Sequence, residues 1–250
     1  MAENYRNLKM IIAYEGTEYA GFQRQKSGIL TIQETLENAI FQITGEKSNL
    51  IGAGRTDAGV HAKGQVVNFK SSTHLETTPL LKALNAVLPK DIVIRDVCET
   101  DSEFHSRYSA KSKTYLYRIY IHALRPLFER NFVYHYRYQL DFDLMSQVAA
   151  LIEGTHDFQC FQASGSVVKS TIRTVNYCRL SKKESEIRLY INADGFLYHM
   201  VRNIVGTMLV VGSKRITVAE FVDIVKTGER QKAGPTAPAG GLCLEEVFYS

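Results

Sequence analysis

Apolar positions along the chain recur with two periods, and the switches between them outline the elements. Lys9 to Tyr14 is short, mostly apolar and carries Ile11 and Ile12, which predicts a strand. Thr31 and Glu34 then form the signature of a capping box, with Thr31 as N-cap. Ile32, Leu36, Ala39, Ile40 and Ile43 fall on one helical face, and Gly45 ends the helix. Leu50 to Ala53 and Gln65 to Phe69 read as strands flanking a glycine-rich loop. Thr78 caps a second helix with Pro79 at its first position, and Leu80, Leu81, Leu84, Val87 and Leu88 give it an apolar face. Asp91 to Val97 is a further strand.

The second half repeats the pattern. Thr114 to Ile121, rich in Tyr and Ile, predicts a strand. Asp141 caps a helix carrying Phe142, Met145, Val148, Ala149 and Ile152, ended by Gly154. Ile172 to Leu180 and Glu186 to Asn192 suit a strand pair. Phe196 to Val210 suits a buried helix, Thr217 and Glu220 a capping box, and Leu244 to Phe248 a closing strand. The succession implies α+β architecture with a largely antiparallel sheet, in halves of β-α-β-β-α-β type. A polar acidic stretch, Glu99 to Glu103, separates residues 1–103 from 104–250.

Composition narrows the class. Of 250 residues, 45% are hydrophobic and 22% charged, with a formal net charge of +4, so the chain reads as a globular and mildly basic protein. Met1 to Met10 mixes Glu3, Arg6 and Lys9 with polar residues and lacks the apolar core of a signal peptide. Ile204 to Val211 is too short to span a bilayer. The expectation is a soluble, cytoplasmic protein without membrane partners. Cys98, Cys160, Cys178 and Cys243 form no C-x-x-C pair, which leaves buried reduced thiols as their role. Gly16 and Gly21 have P-loop spacing, but Phe22 and Gln23 stand where Lys and a hydroxyl are required. No histidine pair has metal-ligand spacing, so neither cofactor nor metal is expected.

Three segments carry candidate chemistry. In Gly52 to Gly64, four glycines and three alanines surround one carboxylate, Asp57. Small residues let a ligand approach the backbone, and Arg55 is placed to bind phosphate or orient the acid. Taken alone, an Asp in such a loop more often closes an Asx-turn than catalyses. His61 reads as a packed, hydrogen-bonded residue. The second segment, Phe104 to Phe128, holds no Asp or Glu but contains Arg107, Lys111, Lys113, Arg118 and Arg125, interleaved with Tyr108, Tyr115, Tyr117 and Tyr120. Cations bind phosphates and aromatic faces stack on unpaired bases, although a solvated basic strand with core tyrosines has the same pattern. The third is Tyr198 to Asn203, where Arg202 is a lone cation among apolar residues. A buried guanidinium there needs an anionic partner, and a solvated stripe is the alternative.

Together these segments resemble the tRNA pseudouridine synthase A family over nearly the whole chain. The resemblance rests on Tyr14-Glu15-Gly16-Thr17 with Gly21-Phe22-Gln23-Arg24-Gln25, on Gly54-Arg55-Thr56-Asp57-Ala58-Gly59-Val60-His61-Ala62, on Phe104 to Ala110 leading to Lys113-Thr114-Tyr115, on His199 to Gly206, and on Pro238 to Leu244. Phe22 stands where the family often has Trp. The resemblance implies two RRM-like halves and a homodimer acting on tRNA, with isomerisation of uridine to pseudouridine at positions 38, 39 and 40 of the anticodon stem-loop. It implies Asp57 as nucleophile, Tyr115 stacking on the target base, Arg202 paired with Asp57, and Arg55 engaging the RNA backbone. Competing readings are a non-catalytic tRNA-binding protein and a small-molecule glycosidase, the latter disfavoured because glycosidases usually need two carboxylates.

Overall fold

The computed structural model describes residues 5–26, 28–165 and 168–250; Glu3, counted above in the polar start, lies outside them. Two compact units emerge, one of residues 1–111 with 244–250, the other of residues 112–243.

In the first unit the order is β1 (Arg6–Tyr14), α1 (Ile32–Thr44), β2 (Ile51–Gly52), β3 (His61–Ser71), α2 (Thr77–Val87) and β4 (Ile92–Thr100). Strand β1 lies between β4 and β3 and is antiparallel to both, and β2 pairs with β3. Alternation on β1 buries Leu8, Met10, Ile12 and Tyr14, and with them lie Ile32, Leu36 and Ile40 of α1 and Leu80 and Leu84 of α2. The helix stops behave as their residues dictate. Thr31 Oγ1 accepts from the Glu34 N–H at 3.3 Å, and Gly45 takes the left-handed conformation at φ 75°. Only half of the expected box forms there, because the Glu34 carboxylate turns towards Arg24, 3.9 Å away. Helix α2 starts two residues earlier than the sequence predicts. Its N-cap is Glu76, without a side-chain cap, and Pro79 is its third residue.

The second unit contains β5 (Ser112–Ile121), β6 (Tyr134–Tyr136), α3 (Phe142–Ile152), β7 (Gly154–Asp157), β8 (Ile172–Lys183), β9 (Glu186–Ala193), α4 (Met200–Gly212) and α5 (Val218–Thr227). Its strands run in the order β5-β9-β8-β7, all antiparallel, with the short β6 parallel to β5. The last strand, β10 (Leu242–Phe248), spans the division between the units. The α+β class read from the pattern is the one observed. Asp141 caps α3 through the Leu144 N–H, and Thr217 and Glu220 form a complete capping box on α5. Helix α4 begins at Met200 rather than Phe196, because His199 takes φ 60° and breaks the helical path. Among the described residues no helix is long and apolar enough to cross a membrane. Cys160 and Cys178 are buried, and burial pushes both thiols up to about 12, whereas Cys98 and Cys243 are only partly covered.

One ion cluster ties β5 to β9. Arg118 and Arg188 stand directly opposite in the ladder, a like-charge pairing that destabilises a sheet. Glu186 bridges them. It accepts from Arg118 Nε at 2.8 Å and Nη2 at 3.0 Å, and from Arg188 Nε at 2.7 Å. The Arg118 hydrogen bonds foremost, with Arg188 adding to them against partial burial, hold the Glu186 carboxyl down to about 2. Its folded pKa is depressed, so its stabilisation is present above the unfolded value and is lost as pH falls towards about 2. Thermal unfolding should therefore show Glu186→Gln less stable than the parent near neutral pH, with the gap closing on acidification. A gap independent of pH would contradict this account.

Candidate functional site

Asp57 lies on the loop between β2 and β3, and Thr56 fixes that loop. Thr56 is buried, with Oγ1 2.8 Å from the Tyr14 hydroxyl and its carbonyl accepting from the Phe22 N–H at 3.0 Å. Either side of it, Arg55 is exposed and Asp57 half-buried. The Val60 N–H donates to the Asp57 carbonyl at 3.1 Å, closing the turn, and the Gly59 N–H donates to the Tyr19 carbonyl at 3.3 Å. At the loop's base, Gln65 Nε2 donates to the Gly54 carbonyl at 2.7 Å, while Gln65 Oε1 is buried without a hydrogen-bond partner.

Two glycines make this packing possible. A side chain on Gly16 would overlap the Val60 carbonyl oxygen, and one on Gly21 would lie 2.7 Å from the Thr56 carbonyl oxygen. Gly21 also has φ 97°, which only glycine adopts without strain. His61 is buried, and its Nδ1 accepts from the Gly16 N–H at 3.0 Å, as expected of a packed histidine. Beyond the loop, Tyr19 donates to Asp91 Oδ1 at 2.8 Å, and burial, with that carboxylate, pushes its phenol well above the usual range.

The second unit holds the other candidates. Tyr115 lies on β5 opposite Ile191 of β9, and its ring meets Phe196 edge to face at 5.0 Å. It is only 6% exposed. Two residues on, Tyr117 is wholly buried and donates to the Pro238 carbonyl at 2.8 Å. Burial drives the Tyr117 phenol upwards, and the positive charge of Arg202 acts against it. Arg202 is in the first turn of α4. Its Nε donates to the Ala237 carbonyl at 2.8 Å, and the Ala237 N–H returns to the Arg202 carbonyl at 3.1 Å.

The segment 233–238 is thereby strapped to α4. A side chain on Gly206 would overlap the Pro235 carbonyl oxygen. The Gly234 N–H donates to Thr207 Oγ1 at 2.9 Å, and Asn203, fully buried, accepts through Oδ1 from Thr236 Oγ1 at 2.6 Å and from Arg230 Nη2 at 3.0 Å.

The four expected site residues thus divide, with Arg55 and Asp57 on one turn of the first unit and Tyr115 and Arg202 in the second. Parts of the basic segment serve other ends than expected. Arg118 is bound to Glu186 and Tyr117 belongs to the core, whereas Arg107, Lys111, Arg125 and Tyr108 are exposed. Tyr108 is held rather than loose. The His105 ring packs against its ring at 4.3 Å, tilted by 32°, and Arg107 approaches it at 5.8 Å. Pattern reasoning missed Thr56 with Tyr14, and Asn203 with Arg230. A polar residue inside an otherwise apolar helix was the available signal for Asn203. Among the described residues, no group of three or more His, Cys, Asp or Glu could hold a metal ion.

Comparison with known proteins adds to this geometry. The family model described as tRNA pseudouridine synthase matches residues 10–109 and 148–250. Those spans include Arg55, Asp57 and Arg202, while Tyr115 falls in the interval between them. The chain is 46% identical over 244 residues to tRNA pseudouridine synthase A of Clostridium acetobutylicum, covering 98% of this chain and 100% of that one. The enzyme of the same name from Acetivibrio thermocellus is 46% identical and that from Thermoanaerobacter sp. 47%, each with the same coverage. A match across both units and identity near one half over full-length relatives lead to one conclusion: the chain belongs to the tRNA pseudouridine synthase family.

Proposed function

We propose that this protein isomerises uridine to pseudouridine in tRNA, at positions 38, 39 and 40 of the anticodon stem-loop, with Asp57 as nucleophile. The observation that carries the reading is the held turn around Asp57. An acidic side chain stands beside a buried threonine and an exposed arginine, within a segment that the family model matches.

The reaction breaks the N1–C1′ bond, turns the uracil, and forms a C5–C1′ bond. The C5 hydrogen leaves as a proton and N1 gains one, so atoms balance and no electrons are gained or lost. A carboxylate suits such chemistry by attacking C1′ or C6, or by acting as a base at the sugar. The family resemblance gives Arg55 the role of a phosphate contact and Arg202 that of counter-ion to an ionised Asp57.

The target base must leave its stack, at a cost of a few kcal/mol. An aromatic partner returns roughly 1–3 kcal/mol. Stacking alone barely offsets extrusion, so phosphate contacts are needed too, and the exposed Arg107, Lys111 and Arg125 are available for them. The slight exposure of Tyr115 supports a role as a fixed wall against the extruded base rather than an open platform. The resemblance also carries a cytoplasmic homodimer, and sedimentation of the purified protein at twice the monomer mass is the outcome it requires.

Asp57→Asn should retain tRNA binding yet release no tritium from tRNA labelled at uridine C5. Full turnover by that variant would end the assignment, and binding with no turnover in the parent would leave a non-catalytic tRNA-binding protein. Tyr115→Phe keeps the ring and Tyr115→Ala removes it. Loss of the ring should raise KM by about 5- to 150-fold, the equivalent of roughly 1–3 kcal/mol. If Tyr115→Ala matches the parent, the ring does not meet the base.

A further inference from the structure

Asn203 is a fully buried amide in the first turn of an apolar helix, which calls for a full set of partners. Its Nδ2 donates to the Phe161 carbonyl at 2.8 Å, and its Oδ1 accepts from both Thr236 and Arg230. Arg230 is a fork. While Nη2 reaches Asn203, Nη1 donates to the Gly234 carbonyl at 2.9 Å. Arg230 thus holds both the helix that carries Arg202 and the strap whose Ala237 carbonyl receives Arg202 Nε. None of these groups is an acid, so the fork acts by geometry and not by neutralising a charge.

We propose that Arg230 is a positioning residue for Arg202. By fixing the strap 233–238 against α4 through Asn203, it keeps the Ala237 carbonyl where it fixes Arg202 Nε, and so sets the direction of the guanidinium. The close approach at Gly206 supports this division of labour. The strap has no slack at Pro235, so losing its Arg230 tether shifts the next residues, Thr236 and Ala237. The inference rests on the role given to Arg202 under the proposed function. A misplacement of about 1 Å at a reacting group costs about 10²-fold in rate, and that sets the size of the expected effect.

The test is a double-mutant cycle on full-length protein with tRNA as substrate. Arg230→Gln should lower kcat by about 10- to 100-fold while leaving the dissociation constant for tRNA within about twofold. Added to Arg202→Ala it should cost nothing further, because the residue through which it acts is gone. Thr236→Val removes one bond to Asn203 but leaves the fork, and should show the same non-additivity with a smaller single effect. It decides the matter should Arg230→Gln fail to fold, as read by circular dichroism. Losses that multiply with Arg202→Ala would overturn the positioning role and leave the proposed function standing. An Arg202→Ala variant with parental kcat would overturn both this inference and the role of Arg202, while Asp57→Asn would still report on the reaction itself.

Discussion

The bond between the Tyr14 hydroxyl and Thr56 Oγ1 is the interaction on which the loop carrying Asp57 depends. A threonine between two charged residues has little reason of its own to be inside. It is buried because β1 ends in a tyrosine that reaches it, at 2.8 Å, and because the Phe22 N–H takes up its carbonyl. Once Thr56 is inside, its neighbours are forced outward, which exposes Arg55 and leaves Asp57 at the edge of the core. An unsatisfied buried hydroxyl costs about 1–3 kcal/mol, so the pairing sets the geometry by making the alternatives expensive. Gly16 and Gly21 then decide how closely the preceding loop closes over the turn.

The two units hold their functional groups by different means. The first uses absence of bulk, with glycines whose missing side chains let carbonyls come near. The second uses a polar lattice around α4, in which Asn203, Thr207, Thr236 and Arg230 leave few donors idle. Buried polar networks are rigid when every member is satisfied. That rigidity fixes the direction of the Arg202 guanidinium, whose Nε is held on the Ala237 carbonyl.

Much of this was legible in the sequence because the helices are amphipathic and their ends carry strong signals. Thr31, Asp141 and Thr217 each cap as their chemistry dictates, and Gly45 stops its helix. Misreadings arose where tertiary partners outweigh local rules. Glu34 leaves its cap for Arg24, and the helix read from Phe196 starts only after His199. The strands β6 and β7 escaped notice because three or four polar residues show no period. Asp57 stood out as the one carboxylate in the small-residue stretch Gly52 to Gly64, and only the family resemblance, not the loop pattern, singled it out. Arg230 was invisible, and Thr56 was only one member of a motif, because what distinguishes each is a partner remote in the chain.

The carboxylate between Arg118 and Arg188 has a consequence for how the surface meets a polyanion. Affinity for nucleic acid scales with the counterions that protein cations displace from phosphates. A guanidinium already neutralised within its own sheet displaces none. Of the five cations between Phe104 and Phe128, Arg118 is therefore spent on architecture, and a tally of basic residues overstates the grip on RNA. The electrostatic footprint belongs to side chains such as Arg107, Lys111 and Arg125, which are exposed.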